Sequence, residues 1–170
     1  DKELRELFDK LSLREKIYQL VQLSGDFYND EVISVGPKSE LGITQDVVDN
    51  SGSVLNVIGA EKIRKIQSEH LKKSKIPLLF MADVIYGYKT VFPIPLGLSS
   101  TWNPELIHKA YQVISEESTA SGLHVTFSPV ADLVKDPRWG RVMETMGEDS
   151  YLNSEFIKAI VTGLQGNCSS

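Results

Sequence analysis

Short apolar segments alternate along this chain with segments of helical periodicity, and this alternation restricts the fold more than any other feature. The strand candidates are residues 53–58, 76–82 and 124–130, and helical spacing follows over 60–73, from 104 onward and over 149–164. Strands that alternate with helices of this length form parallel sheets covered by helices. The chain is therefore predicted to be α/β. The almost wholly apolar 76–82 predicts a strand buried on both faces.

Helix-start signals support these assignments. Ser12 and Glu15 have the spacing of a capping box. Asn103 suits an N-cap and Pro104 the first helical position, with Gly122 as terminator. The helical spacing after Pro104 runs through Leu106, Ala110, Val113, Ile114 and Glu117. Residues 25–52 have no regular period and predict a long excursion with short elements.

Length, charge and cysteine content exclude several classes of protein. The 170 residues predict a single domain segment. A net charge of -5 lacks the basic patch of a nucleic-acid binder, and no apolar run reaches the ~20 residues of a membrane span. The single Cys168 excludes an intrachain disulfide, and the sequon at 167–169 is interpreted as a chance match.

Cofactor and metal motifs are absent from the sequence. There is no glycine-rich phosphate loop, and the histidines His70, His108 and His124 are isolated. A metal site needs several convergent ligands. These histidines are therefore interpreted as packing or surface residues, and neither a cofactor nor a metal is predicted.

A carboxylate follows the second strand candidate. Asp83 comes directly after the apolar 76–82 and begins a loop that contains Tyr86 and Gly87. The carboxyl ends of parallel strands form the ligand crevice of such folds. Asp83 is therefore a candidate ligand-binding residue. An acceptor that orders the loop through backbone hydrogen bonds is the equally open alternative.

Residues 132–144 form a second loop, rich in charged residues, after the third strand candidate. Arg141 can donate to paired hydroxyls, and Glu144, three residues later, can orient that guanidinium or accept hydroxyl protons. The Trp139 face could contact the C–H surface of a sugar ring. The alternative is an arginine–carboxylate network that only ties the loop to its surroundings.

The residues of these loops resemble a known family. Residues 132–149, with Asp-Pro-Arg-Trp-Gly-Arg-x-x-Glu followed by Gly-Glu-Asp, closely resemble the N-terminal domain of glycoside hydrolase family 3. Residues 83–87, 91–98 and 11–16 are similar to earlier landmarks of that family. The resemblance covers essentially the whole chain and points to the bacterial β-glucosidases.

The resemblance implies part of a (β/α)8 barrel, usually followed by an α/β sandwich domain, and cofactor-independent, retaining hydrolysis of terminal β-D-glucosyl residues. Asp83 is expected to accept hydrogen bonds from the 4- and 6-hydroxyls of the sugar. Arg141 is expected to hold neighbouring hydroxyls, with Glu144 in support. Arg138 and Trp139 are expected to serve loop structure.

Two departures from the family pattern qualify the expected activity. Tyr86 stands where the family often has histidine. The 170 residues also hold about half of a barrel of about 250 residues. The nucleophilic aspartate, the acid/base glutamate and a Lys-His pair are accordingly expected beyond Ser170, and the 170-residue segment alone is expected to be inactive.

Two alternative functions stay open: a non-hydrolytic sugar-binding module, or a β-xylosidase or N-acetylglucosaminidase of the same family. The expected partner is a β-glucoside or an oligosaccharide, and an uncovered half barrel predicts aggregation or pairing with a second copy. No membrane or nucleic-acid partner is expected. The cytoplasm is slightly favoured over secretion if Asp1 lies near the natural start.

Overall fold

A computed structural model describes residues 1–28 and 41–166. The chain divides into two compact units. The first contains Asp1–Ala82 and Ser121–Val125, and the second contains Asp83–Ala120 and Thr126–Ser170. Cys168 and the 167–169 sequon lie outside the described residues, as does part of the irregular 25–52 stretch.

The first unit carries a sheet and the helices that follow its strands. In chain order its elements are α1 (Lys2–Lys10), α2 (Leu13–Tyr18), β1 (Gln22–Ser24), a 3-10 turn (Gly25–Phe27), α3 (Gln45–Asn50), β2 (Ser53–Leu55), α4 (Ala60–His70), β3 (Leu79–Ala82) and the start of β4 (Val125–Thr126). The strand order is β1-β2-β3-β4, and β2 pairs in parallel with both β1 and β3. The predicted α/β class with a parallel sheet is confirmed.

Local capping explains where α2 begins. The Ser12 hydroxyl accepts a hydrogen bond from the Glu15 amide at 3.2 Å, and the Ser12 amide donates to Glu15 Oε2 at 2.7 Å. The predicted capping box is confirmed. Its backbone hydrogen bond from Ser12 is the largest cause that lowers the Glu15 pKa below its ordinary range.

The prediction that residues 76–82 form a strand buried on both faces is wrong. Phe80 is fully buried, whereas Leu79 is 46% exposed, on a face that the described residues leave uncovered. The strand also begins later than predicted because Gln67 of α4 takes the place of a strand partner at Leu78. Its side chain accepts from the Leu78 amide at 2.9 Å and donates to the Leu78 carbonyl at 3.0 Å.

The third strand is shorter than the predicted 124–130. In β4 only Val125 and Thr126 have strand geometry. The Thr126 hydroxyl accepts a hydrogen bond from the Ser128 amide at 3.1 Å, and Pro129 has no amide hydrogen for a strand ladder. The apolar pattern therefore continues past the point where backbone pairing ends.

The second unit is built around two packed helices. Its elements are α5 (Pro95–Ser99), α6 (Pro104–Ala120), the end of β4, a 3-10 turn (Val142–Glu144) and α7 (Ser150–Gln165). The core cluster includes Ile107, Tyr111 and Ile114 of α6 with Phe156 and Ile160 of α7, each at most 1% exposed.

One face of α6 is buried against α7. Of the residues with helical spacing in α6, Ala110 and Ile114 are buried, whereas Leu106 and Val113 are 48% and 39% exposed. The buried face includes Ile107 and Tyr111, which belong to the core cluster that α6 forms with α7.

Close contact between α6 and α7 depends on a glycine. A Cβ at Gly163 would lie 2.7 Å from the His108 carbonyl oxygen and 3.0 Å from Tyr111 Cβ. The predicted starts of both helices are confirmed: the Leu106 amide donates to Asn103 Oδ1 at 3.0 Å, and the Leu152 amide to Asp149 Oδ1 at 2.7 Å. Across the described part of the chain, no helix is long and apolar enough to cross a membrane.

Candidate functional site

The first predicted site residue lies at a sharp turn after β3. The strand ends at the buried Ala82, and Asp83 is exposed. Val84 follows with φ of 44°, a left-handed conformation that is rare for a β-branched residue. The Asp83 carbonyl accepts a hydrogen bond from Thr126 Oγ1 at 2.8 Å. The backbone at Asp83 is therefore held in place, and strain at the next residue accompanies this geometry.

The side chain of Asp83 is exposed. Among residues 1–28 and 41–166, no hydrogen bond or ion pair engages its side chain, although its carbonyl is bonded. A loop-ordering carboxylate would accept backbone amides. Its two carboxylate oxygens are therefore not engaged in ordering the loop within the described residues.

Arg141 and Glu144 form an ion pair across the 3-10 turn of residues 142–144. Arg141 Nε donates to Glu144 Oε2 at 2.8 Å, and Nη2 donates to the same oxygen at 2.5 Å. The Glu144 side chain is only 19% exposed, whereas that of Arg141 is 54% exposed. Glu144 therefore orients a guanidinium whose remaining donors are accessible.

The pKa of Arg141 depends on the charges of several nearby carboxylates. The hydrogen bond to Glu144 is the largest cause that raises the pKa of Arg141, followed by the charge of Glu144 and then by the charges of Asp132 and Asp83. The charges of three carboxylates thus act on one guanidinium, and one of the three, Glu144, contacts it. Carboxylates accept hydrogen bonds and a guanidinium only donates them. A neutral ligand that carries several hydroxyls, which donate and accept, matches this arrangement.

A second arginine of the same loop has a different environment. Arg138 pairs with Asp136, with Nε 2.9 Å from Oδ1 and Nη2 2.5 Å from Oδ2, and its side chain is 89% exposed. The Trp139 amide donates to the Asp136 carbonyl at 3.1 Å. These local contacts agree with the prediction that Arg138 and Trp139 serve loop structure.

Asp132 was not among the site residues predicted from the sequence. It is exposed and its charge acts on Arg141. The available signal was its position two residues after the third strand candidate, much as Asp83 lies one residue after the second. Tyr86, the departure from the family pattern, is 37% exposed, and its carbonyl accepts from the Phe92 amide at 2.8 Å.

The histidines have structural partners. His124 Nδ1 accepts from the Phe80 amide at 3.0 Å, and His70 Nε2 donates to the Ile76 carbonyl at 3.0 Å. His108 Nδ1 lies 3.2 Å from the Ala159 carbonyl oxygen. The interpretation of these histidines as packing or surface residues is confirmed. Within the described ranges, no group of three or more His, Cys, Asp or Glu side chains could hold a metal ion.

A cavity of about 310 Å³ lies in the first unit and is separate from the predicted site residues. Its lining includes Tyr28, Asp49, Ile66, His70 and Lys73. Lys73 Nζ donates to Asp49 Oδ1 at 2.8 Å, so these two charged groups of the cavity lining neutralise each other. None of the predicted sugar-binding residues lines this cavity.

Comparison with known proteins gives one consistent family. Residues 12–168 match the family model described as the glycosyl hydrolase family 3 N terminal domain. A β-glucosidase from Listeria innocua solved in complex with isofagomine is 48% identical, with a TM-score of 0.89 over 99% of this chain and 23% of that chain. Its complex with glucose gives 47% identity and a TM-score of 0.90 over 99% and 24%. The predicted partial (β/α)8 barrel is confirmed.

The relatives found by sequence comparison are named as enzymes with two activities, β-glucosidase and β-xylosidase. A periplasmic β-glucosidase from Salmonella typhimurium is 36% identical over 165 residues, which is 95% of this chain and 20% of that protein. A β-xylosidase from Formosa agariphila is 44% identical over 82 residues, or 48% of this chain and 11% of that protein. The chain thus spans about 20–30% of the length of the relatives that it matches along most of its own length.

Proposed function

Because the chain belongs to glycoside hydrolase family 3, we propose that it supplies the sugar-binding subsite of a retaining, exo-acting β-glucosidase. In this proposal Asp83, Arg141 and Glu144 hold the terminal non-reducing glucosyl residue. The natural protein that contains this chain hydrolyses the β-glycosidic bond next to that residue, without a cofactor.

The observation that carries the proposal is a carboxylate, that of Asp83, which has no hydrogen-bond partner among the described residues and whose charge acts on a guanidinium that Glu144 already orients. The Asp83 side chain has no partner among the described residues, and its charge acts on Arg141. Two adjacent hydroxyls of a sugar can donate to the Asp83 carboxylate, while another sugar oxygen accepts from Arg141. One neutral sugar ring thereby supplies donors to the Asp83 carboxylate and an acceptor to the Arg141 guanidinium.

The contact of Glu144 with Arg141 supports a binding role for this carboxylate rather than a bond-breaking one. Retaining hydrolysis needs a nucleophilic carboxylate and an acid/base about 5–5.5 Å apart on either side of the glycosidic bond. The Glu144 oxygen Oε2 accepts both arginine hydrogen bonds. We assign the nucleophile and the acid/base to parts of the natural protein outside this chain, and recognition to this chain.

In the proposal, Asp83 and Arg141 also raise the reaction rate, because their contacts with the sugar strengthen as its ring distorts. The ring approaches an oxocarbenium-like shape in the transition state, and contacts to its hydroxyls that strengthen on distortion lower the barrier. Asp83 and Arg141 are placed in the proposal to make such contacts. Their removal is therefore expected to reduce kcat as well as to raise KM.

Glucose is the favoured sugar of the proposal. The Listeria innocua structures contain glucose, isofagomine and laminaribiose, and the Salmonella typhimurium relative is named a β-glucosidase. A carboxylate that accepts from a 6-hydroxyl selects a hexose over a pentose. The β-xylosidase relative keeps xylosides as the second candidate. Non-hydrolytic sugar binding is less favoured because these relatives are named as hydrolases.

The test uses the natural protein that contains this sequence and an aryl β-glucoside. Asp83→Ala and Arg141→Ala are expected to lower kcat/KM by orders of magnitude, because each leaves hydroxyls of the bound sugar unpaired. Arg138→Ala, which removes a guanidinium paired with Asp136 in the same loop, is the matched control and is expected to retain near-native kinetics. Near-native kinetics in both site variants would refute the subsite assignment.

Substrate choice separates the remaining candidates. Aryl β-glucoside and aryl β-xyloside are compared on the unchanged protein, and a higher kcat/KM for the glucoside supports the proposal. A preference for the xyloside would replace it with the pentosidase alternative. Glucose binding by calorimetry with no hydrolysis of either substrate would replace it with the non-hydrolytic module.

A further inference from the structure

The loop that begins with Asp83 folds back on itself as a tight hairpin. In residues 83–92, called here the Asp83 loop, the Phe92 amide donates to the Tyr86 carbonyl, and Gly87 and Val91 form an antiparallel bridge. Gly87 has φ of 113°, and a Cβ there would lie 1.9 Å from the Thr90 carbonyl oxygen. Only glycine fits this turn.

A glutamate of α6 binds the tip of the Asp83 loop. Glu117 Oε2 accepts from the amides of Lys89 at 2.8 Å and Thr90 at 2.9 Å, and Oε1 accepts from the Thr90 hydroxyl at 2.7 Å. Both carboxylate oxygens are therefore used. Charged acceptors make the stronger hydrogen bonds to backbone amides. The tip is fixed to a helix 27 residues further along the chain.

The location of Glu117 in its helix is otherwise unfavourable. It lies in the last turn of α6, which ends at Ala120, and the carboxyl end of a helix dipole repels negative charge. Its partly buried side chain is outside the stripe formed by Ile107, Tyr111 and Ile114. Neither helix formation nor core packing explains a glutamate here, whereas its contacts with the loop do.

Two further contacts hold the loop nearer to Asp83. Thr126 Oγ1 donates to the Asp83 carbonyl at 2.8 Å, and the Tyr111 hydroxyl donates to the Ile85 carbonyl at 3.3 Å. Between these two points lies Val84, with its unfavourable positive φ. A strained residue keeps its conformation only when the surrounding structure over-determines it. The contacts of Glu117 at the tip add a third point to this constraint, and their loss weakens the restraint on Val84 and on the direction of Asp83.

We propose that Glu117 is a positioning residue for the sugar subsite: by binding Lys89 and Thr90 at the loop tip, it sets the direction of the Asp83 carboxylate. Glu117 does not touch the sugar in this proposal and acts through Asp83. The inference rests on the proposed function, because it assumes that Asp83 binds substrate.

The experiment measures kcat and KM of the natural protein on an aryl β-glucoside. Glu117→Gln keeps the size of the side chain but places an amide NH2 among donors, and is expected to raise KM by about tenfold with a smaller change in kcat. The control is Glu116→Gln, which removes the same charge from the neighbouring exposed position and is expected to match the unchanged protein. Thr90→Val removes only the hydroxyl contact and is expected to cause a smaller rise in KM.

A double-variant cycle tests whether Glu117 acts through Asp83. In an Asp83→Ala background, Glu117→Gln is expected to add little, because the carboxylate that it positions is gone. Effects that multiply independently would overturn the positioning role. If Glu117→Gln fails to fold, the same cycle is made with Thr90→Val.

The outcomes separate this inference from the proposed function. If Asp83→Ala has native kinetics, the subsite assignment itself is wrong. If Asp83→Ala is impaired while Glu117→Gln and Thr90→Val have unchanged KM, the subsite stands and the positioning role of Glu117 is wrong.

Discussion

Arg141 and Glu144 are joined through a single oxygen atom: Nε and Nη2 of the arginine both donate to Glu144 Oε2, at 2.8 and 2.5 Å. Because the glutamate side chain is largely buried and the arginine is half exposed, the pair presents the guanidinium outward in one orientation. Glu144 thus fixes the orientation of Arg141, a role that could not be read from its being a glutamate.

Glu144→Gln is expected to weaken substrate binding without altering the arginine itself. The amide still accepts one hydrogen bond but loses the charge that holds the guanidinium, and KM is expected to rise on the order of 10- to 100-fold, since displacement of a group by about 1 Å can cost about 10²-fold. Steady-state kinetics of the natural protein measure this. Glu148→Gln, at an exposed position in the same segment, is the control, and an unchanged KM for Glu144→Gln would contradict the orienting role.

Gly163→Ala is expected to lower the free energy of unfolding by about 1–3 kcal/mol, because the added methyl meets the His108 carbonyl oxygen and overpacks the contact of α6 with α7. Gly97→Ala is the matched control within a helix. Its Cβ would have ordinary contacts of 3.6 Å with Ile94 and Pro93, so a gain of about 0.5–1 kcal/mol is expected. Thermal unfolding compares the two, and an equal effect of both substitutions would show that the close approach is unimportant.

Removal of the cap of α7 is expected to be destabilising. Asp149 Oδ1 accepts from the Leu152 amide at 2.7 Å, and Asp149→Ala should cost about 0.5–2 kcal/mol of unfolding free energy. Asp149→Ser keeps an acceptor oxygen at the N-cap and should recover most of the loss. Urea midpoints of the two variants give the measurement. A serine variant as unstable as the alanine variant would contradict the capping explanation.

Stability conferred by Glu117 is expected to vanish in acid. The hydrogen bond from the Thr90 amide, then that from the Thr90 hydroxyl, holds the pKa of Glu117 below its ordinary value, and the nearby charge of Lys89 acts in the same direction. A carboxylate whose pKa is lower in the folded state stabilises it at a pH above the unfolded pKa of about 4.3, and this stabilisation is lost as the pH falls through the folded pKa.

The difference between the unchanged protein and Glu117→Gln measures this contribution. Their urea midpoints should differ at pH 7 and converge as the pH falls below about 4. Other carboxylates with lowered pKa values, such as Glu15 and Asp136, are present in both proteins and cancel in the comparison. A difference that stays constant with pH would mean that the ionised carboxylate contributes nothing to stability.

Elements with a local cause were predictable, and elements with a distant cause were not. The caps at Ser12 and Asn103 were recognised because each side chain bonds to an amide three residues away. Strand β1, Gln22–Ser24, was missed because its short, mixed sequence carries no period, and it exists through parallel pairing with β2. Leu79 was expected to be buried because its strand is apolar, yet no described element covers its face.

The α/β class, the starts of the principal helices and the candidacy of Asp83, Arg141 and Glu144 could all be predicted from the amino-acid sequence. Three features became visible only in the folded chain: the Asp83 carboxylate has no hydrogen-bond partner among the described residues, its charge acts on Arg141, and Glu117 binds the loop tip 27 residues away. The difference lies in the range of the interactions. Caps and periodicity act over one or two turns of chain, whereas the site depends on hydrogen bonds and charges between segments that only folding brings together.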